Sequence, residues 1–385
     1  MRGPDTASTS MRRPLPGADS VRVDVLVPDR LRSPSGGNRY NGRIISELAA
    51  RGVTVRRRAV PGSWPDPGPG DEAVLGEIIA AAPTPDTVLL VDGLIASAAP
   101  TALAAAATTG RRVYALVHLP LPLERGSAPL QSRTLAGRER TALRAAAGVI
   151  TTSKWTSAYL RRAYGLTGIT CAPPGTDPAA VATGSDPARF LMVAALTPRK
   201  NHALVLSALS VLQDRDWSAH FVGPDDDGGI HAANVRAAAS SGFDDGRIVF
   251  TGALNGAALE RQFLAADLLL LPSLAEPFGM VVTEALAHGT PAIVSAGTGA
   301  LEALAGVPPP ERPGPTLSGS ERPAPGSLPG AAVDPADAVE LGRLLREWLD
   351  EPGLRAQWSA AAHRRRSTLR PWAQTATDIL RAFHD

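Results

Sequence analysis

The segment from Glu276 to Glu284 reads EPFGMVVTE and places two carboxylates eight residues apart. It follows an apolar run at 268–271 that is typical of a buried strand, and it leads into a predicted helix at 280–288. Another predicted strand follows at 291–294. The segment is therefore the loop and helix of a strand–loop–helix–strand unit, and such loops open at the carboxyl edge of a parallel sheet, where open α/β folds bind ligands.

The start of the predicted helix at Met280 offers free backbone amides and a partial positive charge, which suit a phosphate group. Glu276 precedes that start and Glu284 lies about one and a half turns inside the helix, so roughly 10 Å separate the two. Two acceptors flanking an anion site suit a nucleotide-sugar, which has hydroxyls at both ends and a pyrophosphate between them. A plain surface helix is the alternative interpretation of this spacing.

The longer stretch 276–295, EPFGMVVTEALAHGTPAIVS, resembles the E-x(7)-E signature of the retaining glycosyltransferases of family 4. The resemblance extends roughly from Val21 to His384. It implies the α/β GT-B fold, in which two Rossmann-like doubly wound domains face a cleft. It also implies a retaining hexosyl transfer from a nucleoside-diphosphate sugar, with no metal ion and no other cofactor.

Composition narrows the class of protein. A chain of 385 residues can form two domains with separate cores, built mainly from Ala, Val and Leu because aromatic residues make up only 4%. A net charge of +2 is too balanced to predict a nucleic-acid partner, and the single cysteine, Cys171, excludes a disulfide framework. No apolar run is long enough for a transmembrane segment, and no secretory signal is recognisable, so the sequence predicts a cytoplasmic protein.

Two series of strand-like runs, alternating with helical segments, predict two parallel sheets. They lie at 21–27, 87–91, 113–117, 148–152 and 169–172, and then at 190–195, 218–222, 247–250, 267–272, 291–294 and 331–333. A Pro- and Gly-rich break at Pro173–Pro187 separates the series. We therefore predict a disordered leader at 1–19, an N-terminal acceptor-side domain at 20–180 and a nucleotide-sugar-binding domain at 188–368.

Two segments near the C-terminus have distinct compositions. The stretch 307–330 is rich in Pro, Gly and Ser and is predicted to be a mobile insertion without a regular helix or central strand. Apolar residues at helical spacing follow Trp372, and the resemblance implies that 371–385 is a helix crossing back to the first domain. Ordinary packing is the alternative role for Trp372.

Arg199 and Lys200 lie in the loop LTPRKNH, which follows the first strand of the second domain. When a glycosyl–phosphate bond breaks, the leaving diphosphate gains negative charge, and fixed cations stabilise that transition state. The resemblance implies that both side chains contact the diphosphate and are catalytic, and that Thr197 in the same loop binds the donor. A solvated loop is the alternative.

Gly36 and Gly37 lie between the first strand and the first helix, where missing side chains let the backbone approach a ligand. A simple turn is the alternative, but the resemblance implies a place near the diphosphate. His118 ends the strand at 113–117, so it is predicted to face the cleft. By resemblance, its catalytic role is to position the sugar and to stabilise charge at the anomeric carbon, without abstracting a proton.

The resemblance supplies the remaining donor contacts. Glu276 is expected to act on the sugar and Glu284 to accept hydrogen bonds from the ribose. The loop at 251–254, ending at Leu254, is expected to cradle the base through its backbone. The donor-binding residues between the two glutamates are Phe278, Gly279 and Met280.

Two charged features have plain interpretations. Asp225–Asp227 satisfies the D-x-D pattern of metal-dependent transferases and could hold Mg²⁺ or Mn²⁺, but a surface turn is the preferred interpretation. Arg56–Arg58 and Arg364–Arg366 are interpreted as solvated faces, with a weak peripheral contact to anionic lipid as the alternative.

Two other functions fit the same fold. A nucleotide-sugar 2-epimerase is the alternative enzyme, and a non-catalytic sugar-nucleotide-binding protein is the alternative without chemistry. Both glutamates and the Arg-Lys pair are present, which argues against the latter. The sequence does not identify the acceptor, whose contacts are expected from the loops 61–70 and 119–132, nor does it choose between UDP, GDP and ADP in the donor.

Overall fold

Two six-stranded sheets, both parallel throughout, form the framework of the computed structural model. The structure describes residues 21–29, 35–125, 129–225, 229–244, 246–306 and 328–384. The predicted leader at 1–19 and most of the predicted insertion, 307–327, lie outside this part of the chain.

The first sheet has the strand order β2-β1-β3-β4-β5-β6. Its central strands are apolar and buried on both faces, as parallel strands covered by helices must be; all five residues of β3 and of β4 are buried. The strands are β1 (Arg22–Pro28), β2 (Thr54–Val60), β3 (Val88–Asp92), β4 (Val113–Val117), β5 (Gly148–Thr151) and β6 (Ile169–Cys171).

The second sheet has the order β12-β11-β10-β7-β8-β9. Its central strand β10 consists of four buried leucines. The strands are β7 (Ala188–Val193), β8 (Trp217–Val222), β9 (Ile248–Gly252), β10 (Leu268–Leu271), β11 (Ala292–Ser295) and β12 (Gly330–Val333).

Helices connect the strands and cover both sheets. In the first domain they are α1 (Gly36–Ala49), α2 (Asp71–Ala80), α3 (Gly93–Ala96), α4 (Pro100–Thr108), α5 (Leu121–Arg125), α6 (Pro129–Ala145) and α7 (Lys154–Tyr164). In the second they are α8 (His202–Leu209), α9 (Ile230–Gly242), α10 (Gly256–Leu264), α11 (Met280–Ala287), α12 (Gly299–Ala305), α13 (Ala338–Asp350) and α14 (Pro352–Arg366), followed by α15 (Trp372–Ala382). In the part of the chain that the structure describes, no helix has both the length and the apolar character needed to cross a bilayer.

The last helix, α15, belongs to the core of the first domain. Its buried residues Trp372 and Ile379, and Phe383 directly after it, form one hydrophobic cluster with Tyr40 and Ile44 of α1. The side chain of Thr375 also donates a hydrogen bond to the carbonyl of Pro173, where the chain leaves the first sheet. The two segments that cross between the domains are thereby joined.

Two local predictions differ from the structure. Strand β2 was not predicted, because it is an edge strand whose middle is the arginine run 56–58; Arg56 and Arg58 pair with the buried Asp24 of β1 and are thus only partly solvated. Gly330, placed at the end of the predicted insertion, instead begins β12. It pairs with Ala292, and a Cβ atom at this position would overlap the Ala292 carbonyl, so only glycine allows the pairing.

The strand orders determine where a ligand can bind. In the first sheet, β2 is added on one side of β1 and the later strands on the other, so the strand order switches between β1 and β3. In the second sheet the strand order switches between β7 and β10. The carboxyl ends of the strands at such a switch point leave a crevice between their loops. Each domain therefore offers one crevice.

Candidate active site

The crevices of the two domains lie together, and Met280 at the start of α11 marks the junction. Its side chain packs against the cores of both domains. A Cβ atom on Gly36 would lie 3.7 Å from the Met280 sulfur, and one on Gly37 would lie 3.1 Å from Cδ2 of His118. The absence of a side chain at Gly37 thus leaves room for the imidazole, and the glycine pair, His118 and the start of α11 form one cluster.

Lys200 and Glu276 come from the two loops that flank the switch point of the second sheet. The Lys200 ammonium lies 2.6 Å from a Glu276 carboxylate oxygen, and the Ser273 hydroxyl donates to that same oxygen at 3.3 Å. Burial alone would raise the pKa of Glu276, but the Lys200 and Arg199 cations hold it below its ordinary value. Burial lowers the pKa of Lys200, while the Glu276 charge opposes that change. The pair places a carboxylate and a cation side by side in front of α11.

Backbone contacts hold the Glu276 loop in place. The Glu276 carbonyl accepts a hydrogen bond of 2.8 Å from the amide of Gly299. A side chain at Gly299 would overlap the Pro277 carbonyl, so glycine is required for this close approach. The Asn201 side chain donates to the carbonyls of Pro272 and Pro335, at 3.0 and 2.8 Å. These bonds preorganise the loop for a ligand.

Arg199 points towards the first domain. Its guanidinium donates to the Ala275 carbonyl at 3.1 Å and lies 3.4 Å from the Glu124 carboxylate, which belongs to α5 across the cleft. The neighbouring Thr197 hydroxyl is buried and has no hydrogen-bond partner among the residues that the structure describes. Of the two predicted cations, only Lys200 therefore contacts Glu276 directly.

Glu284 is paired with Arg39, which follows the two glycines in α1. Arg39 also lies 3.9 Å from Asp177 in the segment between the domains. Burial raises the pKa of Glu284 to about 7, an effect that Arg39 reduces and Asp177 increases. The Glu284 carboxylate, which is expected to bind ribose, is thus paired with the Arg39 guanidinium of the first domain.

The other predicted donor residues lie around the same crevice. Phe278 is 8% exposed and packs in the core of the second domain, so its backbone and not its ring is available to a ligand. Gly279 has φ +82°, a conformation that favours glycine, and is the N-cap of α11. Leu254 follows β9 and packs at the edge of that core.

The acidic triplet is only partly described, since Asp226 and Asp227 lie outside the described residues. Asp225 bonds to Arg236 of α9 at 2.7 Å, as a surface turn would. Across the described ranges, no group of three or more His, Cys, Asp or Glu side chains has the arrangement of a metal site.

Sequence reasoning missed three residues of this cluster: Arg39, Asn41 and Asp92. Asp92 ends β3 and accepts a hydrogen bond from the side chain of Asn41, which lies on α1. Asn41 in turn is hydrogen-bonded to His118. A polar residue directly after a buried run was the signal used for His118, and the same signal applies to Asp92 after the run 88–91. Arg39 and Asn41 carry no such signal, because their contacts come from other elements.

Glu302 makes a further contact between the domains. Its carboxylate accepts hydrogen bonds from the amides of Lys154 and Trp155, at 2.9 and 3.3 Å, at the start of α7. The Trp155 indole donates to the carbonyl of Gly297 at 2.7 Å. Burial raises the pKa of Glu302 to about 7, although the two amides and Lys154 lower it.

The variant Glu302→Gln is expected to remove part of the pH dependence of stability. The pKa of Glu302 rises from 4.5 to about 7 on folding, so its contribution to stability is present below pH 4.5 and is lost as pH rises through 7. Glutamine keeps an oxygen for the α7 amides without a buried charge. At pH 8 we expect it to stabilise the fold by about 2 kcal/mol. Denaturant unfolding of both proteins between pH 4 and 8 measures this, and parallel curves would contradict it.

Comparison with known proteins agrees with this architecture. The family description "glycosyl transferase 4-like domain" matches residues 2–175, and "glycosyl transferases group 1" matches residues 176–306. Together the two matches span residues 2–306, so the chain belongs to the glycosyltransferase families that they describe. The predicted GT-B fold is therefore confirmed.

Individual proteins share only limited sequence identity with this chain. The 2-deoxystreptamine glucosyltransferase of Streptomyces kanamyceticus is 30% identical over 242 residues, covering 58% of this chain and 56% of its own length. Alignments with the curated relatives span only 15–56% of those proteins. Sucrose-phosphate synthase from Thermosynechococcus elongatus superimposes with a TM-score of 0.73 at 20% identity, covering 94% of this chain and 98% of that one. HepE from Anabaena, in complex with UDP-glucose, has a TM-score of 0.69 at 16% identity and covers 94% and 99%.

Proposed function

We propose that this glycosyltransferase is a retaining, metal-independent enzyme that transfers a sugar from a nucleoside-diphosphate donor to a hydroxyl of an acceptor. The observation that carries the proposal is the buried Lys200–Glu276 pair beside the start of α11, with Glu284 further along the same helix. A cytoplasmic location stays a prediction from the sequence.

The donor would span the two glutamates. The free amides at the start of α11 suit the diphosphate, and Glu284 accepts hydrogen bonds from the ribose hydroxyls. Glu276 then lies on the sugar side, where its carboxylate accepts hydrogen bonds from sugar hydroxyls. To bind Glu284, the ribose must displace Arg39.

The chemistry requires stabilisation of the leaving diphosphate. As the glycosyl–oxygen bond breaks, negative charge grows on the phosphate, and the preorganised Lys200 ammonium stabilises it. Retention follows if the acceptor attacks from the face that the phosphate leaves, with the departing phosphate oxygen taking the acceptor proton. No side-chain nucleophile is needed in this scheme. Arg199, on the same loop, supplies a second positive charge near the cleft.

Product analysis tests the function directly. UDP-glucose is the first donor to try, since HepE was crystallised with it, and 2-deoxystreptamine is a first acceptor, chosen from the relative named for it. GDP- and ADP-sugars complete the donor panel. NMR of the product reports whether the anomeric configuration is retained. A change in the sugar of the donor alone would identify an epimerase, and binding without any reaction would identify a non-catalytic protein.

Chelation tests the proposed independence from metal. Activity should survive EDTA, because Lys200 and the α11 amides supply the positive charge. Activity that disappears with EDTA and returns with Mg²⁺ or Mn²⁺ would favour the Asp225–Asp227 interpretation.

The variant Glu284→Ala is expected to weaken binding of a nucleoside diphosphate by about 1.5–3 kcal/mol, because a hydrogen bond to a charged acceptor is lost. Isothermal titration calorimetry at pH 8 measures the affinity with the carboxylate ionised. Glu347→Ala, which removes a carboxylate on the surface of α13, is the control. Unchanged affinity in Glu284→Ala would refute the ribose assignment.

A further inference from the structure

Asp92 is a buried carboxylate at the crevice of the first domain, and the proposed donor contacts do not use it. It ends β3 and its residue is 3% exposed. One carboxylate oxygen accepts the Leu94 amide at 2.9 Å and so caps α3. The other accepts the Asn41 amide group at 2.6 Å and lies 3.5 Å from Nε2 of His118.

The surroundings keep this carboxylate ionised. Burial alone would raise the pKa of Asp92, but the hydrogen bonds from His118, Asn41 and Leu94 outweigh burial and hold the pKa below its ordinary value. An ionised carboxylate can only accept hydrogen bonds. The Asn41 side chain must therefore turn its NH₂ group towards Asp92.

The orientation of Asn41 then determines the proton position on His118. With its nitrogen facing Asp92, Asn41 presents its carbonyl oxygen to His118 Nε2, at 3.1 Å. Among the described residues, Asn41 Oδ1 and the Asp92 carboxylate lie near Nε2 and both are acceptors, so Nε2 must carry the proton. In a neutral imidazole the lone pair is then on Nδ1.

Packing holds the ring in this orientation. Tyr40 meets the imidazole edge to face, with the ring centroids 5.2 Å apart. A Cβ atom on Gly37 would lie 3.1 Å from Cδ2, so the imidazole edge lies in the room that this glycine leaves. The Thr152 hydroxyl also donates to the His118 carbonyl at 3.3 Å, which fixes the backbone.

We propose that Asp92 is a positioning residue which, through Asn41, holds His118 as the Nε2–H tautomer, so that Nδ1 accepts a hydrogen bond from a hydroxyl of the bound sugar. The tautomer follows from the ionised Asp92 together with its contacts to Asn41 and His118. Its consequence for turnover rests on the proposed function, in which His118 contacts the sugar.

The variant Asp92→Asn tests the Asp92–Asn41–His118 arrangement, because it changes the charge and the hydrogen-bond donors of the side chain but hardly changes its shape. Its side-chain oxygen can still accept the Leu94 amide, which leaves an NH₂ group facing Asn41. Asn41 can then turn over and donate to His118, so the proton moves to Nδ1. The matched control is Asp24→Asn, since Asp24 is also 3% exposed and lies in the same sheet, where it pairs with arginines of β2.

Two readouts decide the outcome. Nitrogen-15 NMR of histidine-labelled protein reports which ring nitrogen carries the proton, and the His118 signals are assigned by their loss in His118→Gln. We expect Nε2–H in the wild type and in Asp24→Asn, and a shift towards Nδ1–H in Asp92→Asn. We also expect kcat to fall about 10- to 100-fold in Asp92→Asn, with the KM for donor nearly unchanged, as for other residues that orient a functional histidine.

Each result bears on a separate claim. A wild-type His118 that carries its proton on Nδ1 refutes the proposed role of Asp92, whatever the activity. A tautomer shift in Asp92→Asn without a loss of kcat overturns the catalytic consequence. A wild type that transfers no sugar refutes the proposed function but leaves the NMR result to decide the role of Asp92.

Discussion

Glu276→Gln is expected to lower kcat by about 10²–10³-fold, the loss typical when a preorganised electrostatic group is removed from an active site. Glutamine matches glutamate in shape and can still bond to Lys200 through its oxygen, so the loop should keep its conformation. What disappears is the negative charge that, in the proposed mechanism, accepts hydrogen bonds from the sugar. Steady-state kinetics with the donor identified by the product assay measure the effect.

The same variant should bind the free nucleoside diphosphate almost normally, because in the proposed donor complex the diphosphate and ribose contact α11 and Glu284 instead. Calorimetry with the diphosphate provides this comparison. Glu347→Gln, on the exposed surface of α13, controls for a general effect of removing a carboxylate. Equal losses in turnover and in diphosphate affinity would show that Glu276 does not act on the sugar alone.

Lys200→Met is the second variant with a large expected effect. It removes the cation that we propose to stabilise the leaving diphosphate, so kcat should fall by about 10²–10³-fold. It also leaves the Glu276 carboxylate, which is 6% exposed, without its closest partner. Breaking a buried ion pair from one side costs about 3–5 kcal/mol of stability, so the Tm should fall as well.

A double variant separates the two effects. Combining Lys200→Met with Glu276→Gln removes both charges, so much of the lost stability should return while kcat stays low. Arg199→Met is the companion control, and a smaller loss is expected because the Arg199 guanidinium bonds to Ala275 and Glu124. Recovery of both stability and kcat in the double variant would reduce the Lys200–Glu276 pair to a structural role.

Much of the framework could be predicted because it depends on local patterns. Runs such as the four leucines of β10 are buried on both faces, and their apolar character alone marks them as strands. A polar residue directly after such a run lies at the carboxyl edge of the sheet, and this predicted the position of His118. Glu276 was predicted at the same edge because its loop follows the run at 268–271. The family resemblance then assigned roles that local patterns could not.

Strand β2 escaped prediction for a physical reason. An edge strand needs hydrogen bonds on one side only and can carry charged side chains, so the arginines at 56–58 conceal it. Their charge is balanced by Asp24, which comes from a neighbouring strand and is distant in the chain. An ion pair between residues so far apart in the chain cannot be recognised from a short stretch of sequence.

By itself, the sequence determined the two-sheet architecture, the position of the switch-point loops and the two glutamates on one loop and helix. Only the tertiary structure decided which side chains meet. Lys200 reaches Glu276 from another loop, Arg39 pairs with Glu284 from the other domain, and Asn41 connects Asp92 to His118. Strand and helix formation follows from the spacing of neighbouring residues. These contacts, in contrast, exist only after parallel strands bring distant loops to one edge of the sheet. Burial at that edge makes an unpaired charge costly, and so each charge is found with a partner.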